Sequence, residues 1–246
     1  MIMIELPEKL LKLLGTAKKV AVLTGAGVSA ESGVPTFRGD EGLWKKFRAE
    51  ELATVEAFMR NSRLVWEWYI YRRELISSVK PNAGHYALVE LENHFEDFTL
   101  ITQNVDGLHR AAGSRNILEL HGNITRNKCF DCGQPFEGEI DISRGDIPRC
   151  ECGGKIRPDV VWFGELLPAH AINGAFDASD TAELFFSVGT SALVHPAASM
   201  PVTAKRNGAY LVEINREPTP LSDIADCALH GKSGDILPQI VEKLKE

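Results

Sequence analysis

Four of the chain's five cysteines fall in two close pairs, Cys129-x-x-Cys132 and Cys150-x-Cys152, separated by seventeen residues. Two such pairs can meet at one tetrahedral zinc, with thiolates about 2.3 Å from the metal. The second pair is one residue tighter than usual, which strains the arrangement without excluding it. All four ligands are protein thiols and no coordination position is left open, so the expected zinc is structural. Cys227 stands alone and reads as an inert buried thiol. In TGAGVSAESG, Gly25 and Gly27 would let backbone N–H groups approach a pyrophosphate, with a following helix adding its positive end. Ala30 holds the sixth position of that pattern, and no acid for a ribose is evident at the end of a second strand. Gln103, Asn104 and Asp106 lie in QNVDG, and His121 lies in LELHGN. Histidine suits general-base work near neutral pH, although a lone histidine after a strand is more often structural. Finally, WEWYIYRRELI (Trp66–Ile76) sets Tyr69 three residues before Arg72 and four before Arg73. Either pair can share a helical face, and a phenol beside a guanidinium is a receptor for a carboxylate. Packed aromatics with solvated charges would give the same pattern, and spacing does not choose between the two arginines.

The elements that must position these residues follow from hydrophobic patterning. KVAVL (Lys19–Leu23), FTLIT (Phe98–Thr102), LFFSV (Leu184–Val188) and AYLVEI (Ala209–Ile214) are short apolar runs ending in polar or glycine-containing loops. Helical patterns lie between them, at Ala83–Asn93 and Asp235–Lys245 for example. The alternation predicts an α/β fold with a Rossmann-like, doubly wound parallel sheet, whose ligands sit beyond the carboxyl ends of the strands. Two stretches break the rhythm: an aromatic-rich helical insertion at 39–80 and the cysteine-bearing stretch at 122–160. Together they are expected to form a smaller domain beside a sheet domain made of 1–38, 81–121 and 161–246.

The 246 residues, 44% hydrophobic and 25% charged, are ordinary for a soluble globular chain. No apolar run reaches membrane-spanning length. The start, MIMIELPEKLLKLLGTAKK, reads as an amphipathic helix and not as a leader, which makes the cytoplasm the expected location and disulfides the lesser explanation of the cysteines. A net charge of −7, from 27 basic and 34 acidic side chains, argues against general affinity for nucleic acids and is compatible with lysine-bearing peptides.

TGAGVSAESGVPTFRG (Thr24–Gly39) closely resembles the cofactor signature of sirtuins, the NAD-dependent protein lysine deacylases. So do TQNVDGLHRAAG (Thr102–Gly113), LELHGN (Leu118–Asn123), the cysteine quartet, VVWFGE (Val160–Glu165), VGTS (Val188–Ser191) and EINRE (Glu213–Glu217), all in the family's order. The resemblance spans about residues 5–245. It implies that His121 is the catalytic base, that Asn104 orients the reacting ribose and water, and that Asp106 holds the nicotinamide amide. Gln103 would contact ribose, with Val105 beside it. Arg38, Phe37 and Ala26 would belong to a mobile loop over NAD, with Ser29 and Trp44 also around the cofactor and Arg38 among the catalytic set. Thr36 stands where many members have Asp. Gly189, Thr190, Ser191, Asn215, Arg216 and Glu217 match the loops for the adenosine half, and Ser233 in HGKSG matches the last turn. Val161, Phe163 and Gly164 resemble the segment that pairs with the substrate peptide by strand addition, with Val194 across from it; Glu165 could be only a surface acid. The zinc would hold the small domain together, away from the chemistry.

Within the family, a Tyr-x-x-Arg pair marks a branch that removes succinyl, malonyl and glutaryl groups. Here that match falls on Tyr69 and Arg72, with the small residue Ala53 where this branch widens its acyl pocket. An acidic acyl group brings a carboxylate into an apolar tunnel, where an unpaired charge is costly. A guanidinium fork and a phenol O–H would offset that cost with hydrogen bonds worth roughly 1.5–3 kcal/mol each. The implied activity is removal of acetyl and acidic acyl groups from lysine, giving nicotinamide, free lysine and O-acyl-ADP-ribose. Alternatives are protein ADP-ribosyl transfer in the same cleft, or a non-catalytic NAD- or zinc-binding module. The expected partners are acyl-lysine peptides and proteins, with no membrane and no direct nucleic-acid binding. The sequence does not reveal the oligomeric state, and a monomer is the plain expectation.

Overall fold

The computed structural model describes residues 4–36, 48–143 and 146–245. In chain order its elements are α1 (Glu8–Thr16), β1 (Lys19–Thr24), α2 (Ala26–Ala30), α3 (Ala49–Leu52), α4 (Val55–Ser77), α5 (Ala83–His94), β2 (Asp97–Thr102), α6 (Leu108–Ala112) and β3 (Ile117–Glu119). There follow β4 (Gly122–Cys129), β5 (Ile156–Val160), α7 (Ala169–Thr181), β6 (Leu184–Val188), α8 (Ser199–Arg206), β7 (Tyr210–Asn215), β8 (Cys227–His230) and α9 (Ser233–Lys243).

Short apolar runs persist as strands here because helices cover both of their faces. Every residue of β1 after Lys19 is buried. Alternate side chains Val20 and Val22 pack with Leu10, Leu14, Leu88 and Ile240 on one face. Ala21 and Leu23 pack with Ala171, Ala175, Met200 and Ala204 on the other. The six parallel strands run in the order β3-β2-β1-β6-β7-β8. All four predicted runs are strands of this sheet. The two edge strands, β3 and β8, are too short to stand out as apolar runs in the sequence. The chain leaves β1 toward β2 on one side and returns at β6 on the other, so the crevice between β1 and β6 is the topological switch point, where ligands of such sheets bind. No helix among the described residues is long and apolar enough to cross a membrane.

The helix α4 and the antiparallel pair β4–β5 bury a separate cluster containing Phe58, Trp66, Trp68, Tyr69, Ile124, Cys129, Ile156 and Trp162. Burying a large apolar side chain contributes roughly 1.5–3 kcal/mol. The helix starts at Thr54, whose hydroxyl accepts the Ala57 N–H at 3.1 Å, a typical N-cap. It kinks at Asn61, whose side-chain oxygen accepts the Leu64 N–H at 3.1 Å and so restarts the helix. Polar ties fix α4 on the small sheet. The Trp66 indole donates to the Ile156 carbonyl at 2.9 Å. Arg73 donates to the Ile124 carbonyl at 2.6 Å, the Arg126 carbonyl at 3.1 Å and Asn127 Oδ1 at 2.7 Å.

At the switch point backbone meets backbone. Gly25 N–H donates to the Val188 carbonyl at 3.0 Å and Gly27 N–H to the Gly189 carbonyl at 2.8 Å. Gly189 has φ +61°, and a Cβ there would lie 2.5 Å from the backbone nitrogen of Val28. Gly189→Ala should therefore cost about 2–4 kcal/mol of stability, from overpacking and an unfavourable φ together. Urea unfolding measures this directly, and a loss below about 1 kcal/mol would contradict the contact.

Candidate active site

The carboxyl ends of β1 and β2 are joined by a network of short side chains. Thr24 and Thr102 share a hydroxyl hydrogen bond of 2.9 Å, and the Thr102 hydroxyl accepts the Asn104 N–H at 3.1 Å. The Asn104 amide donates to the Gly25 carbonyl at 3.0 Å and to Ser29 Oγ at 3.1 Å. Gln103 reaches across the crevice and donates to Thr190 Oγ1 at 3.1 Å. Gln103, Asn104, Ser29, Gly25 and Thr190, far apart in sequence, thus line one place.

Asp106 is buried, and one of its oxygens accepts the Leu108 N–H at 2.9 Å, which starts α6. Burial raises its carboxyl above the ordinary range, while the Leu108 N–H, the Ser29 hydroxyl and the Arg72 charge pull the other way. His121 follows β3. Its Nδ1 lies 2.9 Å from the Gln103 carbonyl, which can only accept, so Nδ1 carries the proton and Nε2 keeps the lone pair. Burial lowers the pKa of this imidazole, with the Gln103 carbonyl pulling it partway back. The His121 carbonyl in turn accepts the Val161 N–H at 2.9 Å, and the Val105 carbonyl accepts the Ile124 N–H at 2.8 Å. The histidine is therefore held neutral, in one tautomer, between the large sheet and the start of the small one.

On the other side of Val161, Phe163 N–H donates to the Ala53 carbonyl at 2.9 Å. Trp162, between them, is buried and donates its indole N–H to the Tyr69 phenol oxygen at 2.9 Å. Tyr69 is buried, and burial raises its phenol pKa against the opposing pull of Arg72 and the Trp162 N–H. The Arg72 guanidinium, also buried, lies over the Trp68 ring at 4.8 Å and the Tyr69 ring at 5.8 Å. Burial lowers the Arg72 pKa, and the charges of Tyr69 and Asp106 raise it. Arg73 is instead taken up by β4, as described above. The two arginines that spacing left equivalent thus face different surroundings.

Glu165 is not a surface acid. Its carboxylate takes both arms of the buried Arg157, at 2.5 and 2.8 Å, and accepts the Trp162 backbone N–H at 2.7 Å. The Arg157 guanidinium lies 3.3 Å from the Trp162 ring centroid. Neither Arg157 nor Trp162 was a candidate from sequence. The signal available was an arginine and a glutamate flanking a tryptophan inside an apolar segment, where an unpaired charge could not stay.

The four cysteine sulfurs lie within 4.8 Å of one another. Cys150 N–H donates to the Gly154 carbonyl and Gly153 N–H to the Cys150 carbonyl, both at 2.8 Å. This turn folds the tight Cys150-x-Cys152 pair back on itself and absorbs the expected strain. The Cys132 N–H lies 3.5 Å from Cys129 Sγ and favours a thiolate there, whereas the neighbouring sulfurs raise the Cys132 and Cys152 thiols. A set of four thiols without an acid or histidine fits one zinc ion.

Other predicted residues lie around the same edge. Ala26 opens α2, and Thr36 is half-buried at the end of the described segment. Asn215 ends β7 and donates to the Glu217 carbonyl at 2.7 Å, with Arg216 exposed beside it. Buried Glu213 grips this loop from below through the hydroxyls of Thr219 and Ser222. Ser191 and Val194 are half-buried in the loop after β6, and Gly164 turns with φ +87°. The Ser233 hydroxyl is buried and committed to Glu31 at 2.9 Å. Phe37, Arg38 and Trp44 lie outside the described residues.

A family model described as the Sir2 family matches residues 25–196. The chain is 52% identical over 229 residues, 92% of this chain and 95% of the relative, to an NAD-dependent protein deacylase of Aquifex aeolicus. It superposes on a solved Sir2 homolog–NAD complex with TM-score 0.89 at 45% identity, covering 98% of this chain and 94% of the other. A Sir2–p53 peptide–NAD+ complex matches with TM-score 0.85 at 32% identity, covering 96% and 97%.

Behind the crevice His85 and His109 are buried with ring centroids 4.8 Å apart. Burial lowers His85 to about 4; burial and the neighbouring His85 lower His109 to about 3. Both folded values lie below the ordinary 6.5, so the unfolded chain takes up protons that the fold refuses, and stability is lost as pH falls below 6.5. At about 1.4 kcal/mol per histidine per pH unit at most, unfolding free energy should fall by about 2 kcal/mol between pH 6 and 5. Urea titrations at both pH values test this. His109→Gln should remove about half of the slope; an unaltered slope would show that the pair does not govern it.

Proposed function

The chain belongs to the Sir2 family, and from that premise we propose that it is an NAD-dependent protein deacylase removing both acetyl and acidic acyl groups, succinyl and malonyl among them, from lysine side chains. The observation that carries the reading is His121: a neutral imidazole, its Nδ1 proton tied to Gln103, at the strand edge with Asn104 and Asp106. The relatives' names and the solved complexes with NAD and peptide support the same activity. The domain division given above is part of this reading, as are a cytoplasmic location and a monomeric state.

NAD supplies the leaving nicotinamide and the ribose that receives the acyl oxygen. The residues that hold it would be Gly25, Ala26, Gly27 and Ser29 at the switch point, and Gly189, Thr190, Ser191 and Asn215 toward the adenosine, with Arg216 and Glu217 beside them. The buried Asp106 carboxyl suits a nicotinamide amide, a donor group. Asn104 and Gln103 orient the ribose, and His121 Nε2 accepts a proton from its hydroxyls. Val105, Thr36, Phe37, Arg38, Trp44 and Ser233 enter by their motifs, and the Ser233 hydroxyl must act from its bond to Glu31. Val161, Phe163, Gly164 and Val194 hold the peptide by strand addition. Ala53, Tyr69 and Arg72 receive the acyl group. Zinc, on Cys129, Cys132, Cys150 and Cys152, is structural.

Two outcomes test the assignment. His121→Ala should lower deacylation by about 100-fold or more while NAD binding, followed by calorimetry, survives. Because burial lowers the histidine, the acid limb of kcat/KM in the wild type should lie below pH 6.5. Retained turnover would remove His121 as the base. Arg72→Met should lower the ratio of succinyl- to acetyl-lysine kcat/KM by roughly 10- to 100-fold. Equal losses on both peptides would make Arg72 structural.

A further inference from the structure

The Tyr69 hydroxyl lies beside two groups that can only donate. The Trp162 indole N–H already donates to its oxygen at 2.9 Å, and the neighbouring Arg72 guanidinium has no acceptor to offer. Among the described residues nothing accepts the phenol proton. The phenol ring is itself fixed, edge-on to Trp68 at 4.8 Å and 80°. The tryptophan that donates to it is held at three points: Arg157 lies over its ring at 3.3 Å, the Phe58 ring packs at 5.2 Å, and Glu165 accepts its backbone N–H at 2.7 Å.

We infer that Trp162 is the positioning residue of the acyl receptor: its indole N–H occupies the phenol oxygen of Tyr69 and so turns the Tyr69 O–H outward as a donor to the acyl carboxylate. This rests on the acidic-acyl reading given above. With its oxygen occupied, the phenol is a poor acceptor for a neutral hydroxyl-bearing chain and a strengthened donor. The receptor then offers O–H and guanidinium N–H groups alone, the complement of a carboxylate, which when ionised only accepts. Trp162 also lies between Val161 and Phe163, so the strand proposed to hold the peptide backbone would set the polarity of the acyl pocket as well. A phenylalanine would fill much of the same space without the N–H.

The experiment compares kcat/KM on matched acetyl- and succinyl-lysine peptides for wild type, Trp162→Phe, Tyr69→Phe and the double variant. Trp162→Phe should lower the succinyl-to-acetyl ratio about tenfold, and the double variant should match Tyr69→Phe alone, because the indole acts through the phenol. Equal losses on both peptides, or losses that multiply in the double variant, would overturn the inference. If Trp162→Phe fails to fold, the indole N–H resonance of Trp162 decides: it should move upfield in Tyr69→Phe, and an unmoved resonance would overturn the inference. A wild type that cleaves acetyl- but not succinyl-lysine would instead remove the acidic-acyl reading, and this inference with it.

Discussion

The contact between the loop after β1 and the loop after β6 is made by backbone alone, and the rest of the crevice is built on it. Gly25 and Gly27 donate into Val188 and Gly189, with no room between them for a side chain. Because the two loops touch, Gln103, in the loop after β2, can reach Thr190, and Asn104 beside it can hold the Gly25 carbonyl. The carbonyl of Gln103 then fixes the proton on His121. Each of these bonds is of ordinary strength, about 1 kcal/mol net. Their value lies in order: a wider approach at the glycines would leave several buried polar groups without partners, and each orphan costs more than its bond contributes.

The second cluster applies a different constraint. Charged side chains enter this cluster, and each meets it differently. Arg157 is satisfied by Glu165, so it can lie flat on Trp162. Arg73 is consumed by β4. Arg72 sits among rings and under the influence of Asp106, which belongs to the other side of the crevice. Through that arginine α4 and the loop after β2 share an electrostatic environment.

Much of this was legible in the residues and some was not. The central strands stood out because burial on both faces forces continuous apolar runs such as LFFSV. β3 and β8 did not, since an edge strand of three or four residues needs no such run. Gln103, Asn104, Ser29 and Thr190 lie together because sheet topology gathers the carboxyl-end loops. Arg72 and Arg73 could not be told apart, since i+3 and i+4 both satisfy a helical face and only the position of β4 separates them. The role of Glu165 was not legible, because a glutamate after a glycine looks solvated and only the fold shows its partner Arg157, eight residues earlier, to be buried. The short Cys150-x-Cys152 spacing looks strained in isolation, and it is the turn through Gly153 and Gly154 that accommodates it.

The hydrogen bond from Val161 to the His121 carbonyl has a consequence for alignment errors. β4 and β5 begin pairing at Gly122 and Val160, immediately beside that bond. Any tilt of the small sheet on the large one therefore carries His121 and Val161 together. The gap between the two is set by one 2.9 Å contact, and not by the summed tolerances of two separately placed bodies. Insertions or deletions in the outer cysteine-bearing loops could accumulate without changing that gap.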